Sequence, residues 1–458
     1  MNPIGQGHRA LARLAPGFSM DVLASDDLQA MIREDIQLEP PPRESPLPPT
    51  FVVWLTLAMA LFRADSIPNV FARLLARWRE SKPWLSLRAV TDGALAHARR
   101  RVGAVPLRRL FEQLSKRVSP EPSFHGLRVW SLDGTVLAVP DTPANEGRFG
   151  RHHASKGRSA FPQLRLLTLT STRTHEIRDV LWGPYKQSEA SMAADVVRNL
   201  RKGDLLLLDR GFMSMHFYAN LAEHDVVFVS RVRNTRKVRI LERRGPGDYD
   251  VEVKGARPTD PKDRRGRRTM ILRLIEYRIG REWVRLLTNQ TDASISGREI
   301  AELYHERWEV ELVFDELKTH LVSVRHGTLD LPFRGKSPEM VEQELWATLA
   351  AFNLVRRVIA GAARVHRIDP RRISFTDALV VIVATWRVGS RNKAERRRAH
   401  TRLQDDLAAC QLDRWRRPRK CPRVVRVRSN TYPHKGPMYR EEFHDASQLI
   451  RMGDSRCA

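Results

Sequence analysis

From Thr50 to about Val118 apolar residues recur at helical spacing, and four helices are predicted: Phe51–Phe62, Ile67–Arg79, Thr91–Arg101 and Leu107–Val118. The second sets Val70, Phe71, Leu74, Leu75 and Trp78 along one side, and Thr91 is placed to cap the third. Residues 1–39 read as a short helical lead. Pro40–Pro49 (PPPRESPLPP) reads as a stiff, extended joint, because proline cannot continue a helix.

At Gly126 the period changes to two. Leu127–Leu137, Leu164–Ser171, Ile177–Trp182 and Leu205–Leu208 read as strands, with helices over Glu189–Leu200 and Ser214–Glu223. Three early strands followed by helix, strand and helix predict the α/β class, a mixed sheet with helices on both faces. Residues 225–290 interrupt that alternation with strands at Val226–Val232, Val238–Leu241, Tyr249–Val253, Met270–Tyr277 and Trp283–Thr288. Pro258–Arg268 is a turn-rich loop inside this block. Ser296–Glu299 (SGRE) is a capping box that starts a long helix, and Glu342–Val365 reads as a largely apolar, buried one. Three regions follow: a helical part over 1–122, a mixed α/β part over 123–365 carrying the 225–290 insertion, and a basic, mainly helical tail over 366–458.

Composition narrows the class. The longest apolar runs, Phe51–Phe62 and Ala378–Trp386, fall short of the roughly 18–20 residues of a membrane helix, so they are core segments and no membrane partner is expected. The N-terminus lacks the pattern of a secretory signal. Cys410, Cys421 and Cys457 form no CxxC pair, which excludes a disulfide framework and fits a reducing cytoplasm.

Charge adds a partner. The 79 Lys and Arg outweigh 53 Asp and Glu by +26, a field that draws polyanions in a salt-dependent way. Residues 231–285 alone hold eighteen basic side chains against eight acidic ones, and further clusters lie at Arg396–Arg398, Arg414–Lys420 and Arg423–Arg428. Nucleic acid is the leading partner. The N-terminal module, whose third helix ends in Arg99, Arg100 and Arg101, could enter a DNA groove or only pack on the next domain.

Three carboxylates are candidates for chemistry. Asp133 (SLDGT) is read at the end of an apolar strand, and Asp209 follows the apolar run of GDLLLLDRGF. Either alone could be a cap or turn former, but two in one sheet suit Mg²⁺, which recruits hard oxygen ligands. On a helical wheel of about 100° per residue, Ile300, Leu303, Val310, Phe314, Leu317 and Leu321 form the apolar stripe, with Arg307, Glu311 and Lys318 on its shoulder. Glu309 and Glu316 then point toward solvent, and Asp315 is the rival to Glu311. A charged flank with an Arg307–Glu311 pair is the alternative reading.

Tyr304, Arg307, Glu311 and Lys318 carry the Y-R-E-K signature, and the chain resembles the DDE transposases of bacterial insertion sequences whose core is split by a β-strand insertion. The blocks around Asp133 and Asp209, with ELYHERWEVELVFDELKTHL and QELWATLAAFNLVRR, extend the resemblance from about residue 8 to about residue 430. It implies an RNase H-like catalytic domain in which Asp133, Asp209 and Glu311 bind two Mg²⁺ ions, with Mn²⁺ able to substitute. It also implies cut-and-paste transposition: cleavage at element ends, then strand transfer into target DNA.

By the same resemblance, Arg307 and Lys318 steady DNA phosphates, Tyr304 contacts the backbone near the cleavage point, and Arg210 joins the DNA-binding set. Trp283 is a candidate for stacking on a base, or an ordinary core residue. His152 and His153 lack a third ligand, so a solvated basic loop is the reading there. The expected partners are the terminal inverted repeats and target DNA, bound by a homodimer in the cytoplasm at the nucleoid. A metal-dependent nuclease without strand transfer, and a non-catalytic DNA-binding descendant, are the competing readings.

Overall fold

The computed structural model describes residues 47, 49–63, 65–81, 90–154, 157–255, 269–280, 282–320, 333–384, 393–412 and 450–453. The helical lead, most of the proline joint, the 258–268 loop and the basic clusters at 414–420 and 423–428 lie outside the described residues. What is described forms two compact units. One holds the residues up to Asp204 with Trp308–Gln411; the other holds Leu205–Arg307 and the residues from Leu412 onward.

The first unit opens with α1 (Pro49–Leu61), α2 (Ile67–Ser81), α3 (Asp92–Val102) and α4 (Val105–Lys116). Helix α1 is apolar on every side, which is stable only when every side is covered; Phe51, Val52, Val53, Trp54 and Leu55 are all buried. Thr91 Oγ1 accepts from the Ala94 amide and caps α3, and Gly103, at φ 67°, ends it. On α4 the buried positions Leu107, Leu110, Phe111 and Leu114 follow the three-and-four spacing of the sequence.

The sheet follows. Strand β1 (Arg128–Ala138) is succeeded by α5 (Pro143–Phe149), the short hairpin β2 (His153–Ala154) and β3 (Gly157–Arg158), then β4 (Gln163–Ser171), β5 (Ile177–Pro184) and α6 (Glu189–Val196). Strand β4 is antiparallel to both β1 and β5, with Asp133 opposite Thr168 and Leu137 opposite Leu164. Side chains alternate across a strand, so Asp133, Thr135 and Leu137 share one face while Gly134 and Val136 share the other. Glu189 of α6 lies over Gly134 and marks the second face.

In the second unit β6 (Asp204–Leu208) leads through α7 (Met215–Glu223) to β7 (Val227–Val232), which pairs parallel to it. This crossover, after three antiparallel strands, is the strand and helix order expected of an RNase H-like core. The expected insertion strands then appear as β8 (Arg239–Gly245), β9 (Asp248–Lys254), β10 (Thr269–Ile279) and β11 (Glu282–Thr288), followed by α8 (Gly297–Tyr304). They run in the order β7-β11-β10-β9-β8, and β12 (Ile450–Met452) pairs with the end of β10. Two buried ion pairs lie among these strands. Arg273 reaches Asp248 at 2.6 Å, and Arg285 reaches Glu276 at 2.7 Å.

The chain then returns to the first unit with α9 (Glu309–Asp315), α10 (Pro338–Val365), α11 (Phe375–Ala384) and α12 (Lys393–Ala409). Helix α10 is 28 residues long, and its composition alone would suit a membrane, yet 78% of its apolar stretch is buried inside the protein. It is the core helix of this unit. Arg99 of α3 points inward onto it, bonding Gln343 at 3.1 Å and Glu344 at 2.6 Å. That end of the N-terminal module therefore packs on α10, while Arg100 stays exposed.

Candidate active site

Strand β1 continues five residues past Asp133, so this carboxylate stands in mid-strand rather than at the strand end predicted from sequence. The extension comes from Thr135–Ala138, which pair in register with β4 as far as Gln163. Asp133 is half-buried, and its Oδ1 accepts from the Gly134 amide at 2.8 Å. Leu137, on the same face, belongs to one core with Leu164, Leu166 and the α9 residues Val310, Val313 and Phe314. Helix α9 packs on β1. Asp133 and Glu311 therefore come from two packed elements on one side of the same sheet. Asp315, the rival, is exposed, and Glu311 is half-buried.

The helix after the capping box is not continuous. Ser296 and Glu299 form both bonds of the box, but the α-helix ends at Tyr304, a 3₁₀ turn spans His305–Trp308, and a π turn spans Glu316–His320. The wheel placed Glu309 and Glu316 toward solvent; the structure turns both onto buried basic side chains. His175 Nε2 meets Glu309 Oε2 at 2.8 Å, and Arg356 Nε donates to Glu316 Oε2 at 2.9 Å. The two acids do share a helix side, as the wheel implies. That side is covered because the turn before β5 and helix α10 supply its hydrogen-bond partners.

In the second unit Asp209 follows the five fully buried residues of β6 and is half-buried at the start of a 3₁₀ turn, Arg210–Phe212. Tyr304 and Arg307 join it there. The Tyr304 hydroxyl approaches the Leu208 carbonyl oxygen at 3.4 Å. Burial pushes the phenol's pKa up, the nearby Arg307 guanidinium draws it down, and the Asp209 charge pushes it up again. Both residues are buried in this chain, Tyr304 at 3% exposure. The reason is spacing: Ile300 and Tyr304, four apart, lie on the buried stripe of α8.

Lys318 and Arg210 are exposed, although the surrounding protein partly desolvates the Lys318 ammonium and lowers its pKa. Trp283 on β11 is half-buried, and the Gly453 backbone lies beside its ring. The sequence reading passed over Trp308, which is 50% exposed beside the Y-R-E-K residues. It also passed over His175 and Arg356. An exposed tryptophan inside a charged helix was the available signal for the first; no local signal marked the other two.

Among the described residues no three His, Cys, Asp or Glu side chains stand close enough together to hold a metal ion. The donor chemistry of the three candidate acids is nevertheless that of a hard cation. All are carboxylates, the oxygen donors that Mg²⁺ and Mn²⁺ prefer over softer sulfur or imidazole ligands.

Comparison with known proteins agrees with these elements. Residues 125–354 match the family model described as Transposase DDE domain, and residues 29–112 match Insertion element 4 transposase N-terminal. The chain is 29% identical over 405 residues to the transposase InsG for insertion sequence element IS4 of Escherichia coli (strain K12), covering 85% of this chain and 88% of that protein. Among solved structures, the piggyBac transposase synaptic complex with hairpin DNA aligns over 94% of this chain and 87% of its own, with a TM-score of 0.39 and 12% identity. That likeness is too slight to bear on the fold.

Proposed function

This chain belongs to the family of transposase DDE domains, and from that premise we propose that it cuts DNA at the ends of an insertion sequence and joins the freed ends to a target. The observation that carries the reading is the family match together with Asp133 and Glu311 on packed elements of one unit and Asp209 at the end of β6. Asp133, Asp209 and Glu311 would hold two Mg²⁺ or Mn²⁺ ions, which when bound activate the attacking oxygen and stabilise the leaving one.

The chain's own groups do the rest. Lys318 and Arg210, both exposed, offer cations to phosphate oxygens. Tyr304 and Arg307 brace the end of β6 and so fix where Asp209 is presented. Trp308 and Trp283 offer aromatic surfaces to an unstacked base. No side chain forms a covalent bond to DNA, because a freed 3′-hydroxyl is itself the nucleophile for joining. Residues 1–122 would read the element ends, 123–365 would carry the chemistry, and the basic 366–458 region would track the backbone. Two chains would pair two ends on nucleoid DNA in the cytoplasm.

The test uses purified full-length protein and labelled duplexes carrying the inverted repeats that flank its reading frame. With Mg²⁺ the protein should nick and then join these ends. Asp133→Asn, Asp209→Asn and Glu311→Gln should each abolish both steps while leaving duplex binding in place. Cleavage without joining would reduce the protein to a nuclease, and binding alone would overturn the catalytic reading.

A further inference from the structure

Helix α9 has only seven residues, bounded by a 3₁₀ turn and a π turn. A helix that short has little rigidity of its own, so contacts beyond it must set its rotation. Besides the core packing of Val310, Val313 and Phe314, two polar contacts among the described residues lie one on each side of Glu311. At the start of α9, Glu309 is held by His175, which is 1% exposed and stands at φ 62° in the turn between β4 and β5. Just past its end, Glu316 receives two hydrogen bonds from Arg356 of α10, through Nε and Nη2. His175 Nδ1 lies 3.7 Å from the same Glu316 carboxylate, beyond hydrogen-bond reach but close enough to attract it. Arg356 is 2% exposed, and its guanidinium stands 5.0 Å from the centre of the Phe375 ring.

Buried ion pairs are poor devices for stability, since desolvation consumes most of what the pairing returns, and their best use is to fix one arrangement among several. The proposed chemistry requires nothing of Glu309 or Glu316 themselves. We infer that His175 and Arg356 are positioning residues: by pinning the acids on either side of Glu311 they fix the rotation of α9 and thereby where the Glu311 carboxylate is offered to a divalent cation. The inference rests on the functional reading above, in which Glu311 is a cation ligand.

The experiment measures binding of Mn²⁺ alone to the full-length protein by electron paramagnetic resonance, alongside end cleavage and metal-free duplex binding. The paired variant Glu316→Gln with Arg356→Met removes both charges together, so no buried charge is left unpaired. It should fold with native circular dichroism and bind duplex as the parent does. Its Mn²⁺ affinity should nevertheless fall about tenfold or more, with a matching loss of cleavage, as for other residues that orient metal ligands. Should that pair fail to fold, His175→Gln carries the same expectation. Mn²⁺ affinity within twofold of the parent in a folded variant would overturn the inference. An unaltered affinity in Glu311→Gln would overturn the functional reading itself, and the positioning role with it.

Discussion

The Tyr304 hydroxyl lies 3.4 Å from the carbonyl oxygen of Leu208, the residue that precedes Asp209. Burial raises the phenol's pKa, so it remains a hydrogen donor throughout the neutral range. The contact is long, which limits its own contribution, but it joins the last turn of α8 to the end of β6. Tyr304→Phe should therefore cost about 1 kcal/mol of unfolding free energy, the usual worth of one hydrogen bond. It should lower end cleavage more than duplex binding, because what it loosens is the presentation of Asp209. Denaturant unfolding and a comparison of cleavage with binding check this. Equal losses in both activities would make Tyr304 a DNA contact instead.

The Glu189 side chain lies closely over Gly134. A Cβ there would come within 2.7 Å of Glu189 Cγ, and Glu189 is the partner of Arg165 at 2.5 Å. Gly134→Ala must push Glu189 aside and strain that pair, at a cost of about 1–3 kcal/mol. The collision disappears if Glu189 is shortened. Gly134→Ala with Glu189→Ala should therefore cost less than the two single changes added together, and strict additivity in the cycle would refute the clash.

These relations differ in how far the sequence discloses them. The four leucines before Asp209, the Thr91 cap and the Ser296–Glu299 box act through neighbours in the chain, and each appears where its residues predict. Helix α5 has no counterpart in the sequence reading, although Thr142 capping with Pro143 in the first turn is what starts it. The region around Glu311 was legible in composition but not in shape. A wheel presumes one unbroken helix, and the breaks at His305–Trp308 and Glu316–His320 are set by packing. The partners of Glu309 and Glu316 lie far away in sequence, at His175 and Arg356, where no periodicity can reach.

Acid should expose the Glu316 pairing. Burial by itself raises this carboxyl, but the Arg356 guanidinium and His175 outweigh it and hold the pKa at about 2, against an ordinary 4.5. A group depressed on folding contributes stability that is complete above its unfolded pKa and is lost as pH falls through its folded one. The window is therefore about pH 4.5 down to about pH 2, and the amount is on the order of 3 kcal/mol. Urea unfolding at pH 5 and pH 2.5 should show the parent losing more than Glu316→Gln with Arg356→Met by that order. Equal losses would mean that Glu316 is not held down.

The last described strand bears on the insertion. Ile450 is fully buried opposite Ile279, Met452 stands opposite Tyr277, and the following Gly453 lies 3.5 Å from the Trp283 ring by the position its Cβ would take. Three residues of β12 thus complete the end of β10, and Gly453 covers part of an aromatic side chain, although some 170 residues separate the strands in sequence, a closure whose entropy grows only slowly with length. Ile450→Ala removes a buried aliphatic side chain and should cost about 2–4 kcal/mol. The loss should be local: hydrogen exchange at Tyr277, Arg278 and Ile279 should quicken, while Leu205–Leu208 of β6 keep their protection. If exchange rises equally at both places, β12 supports the whole unit rather than the end of one strand.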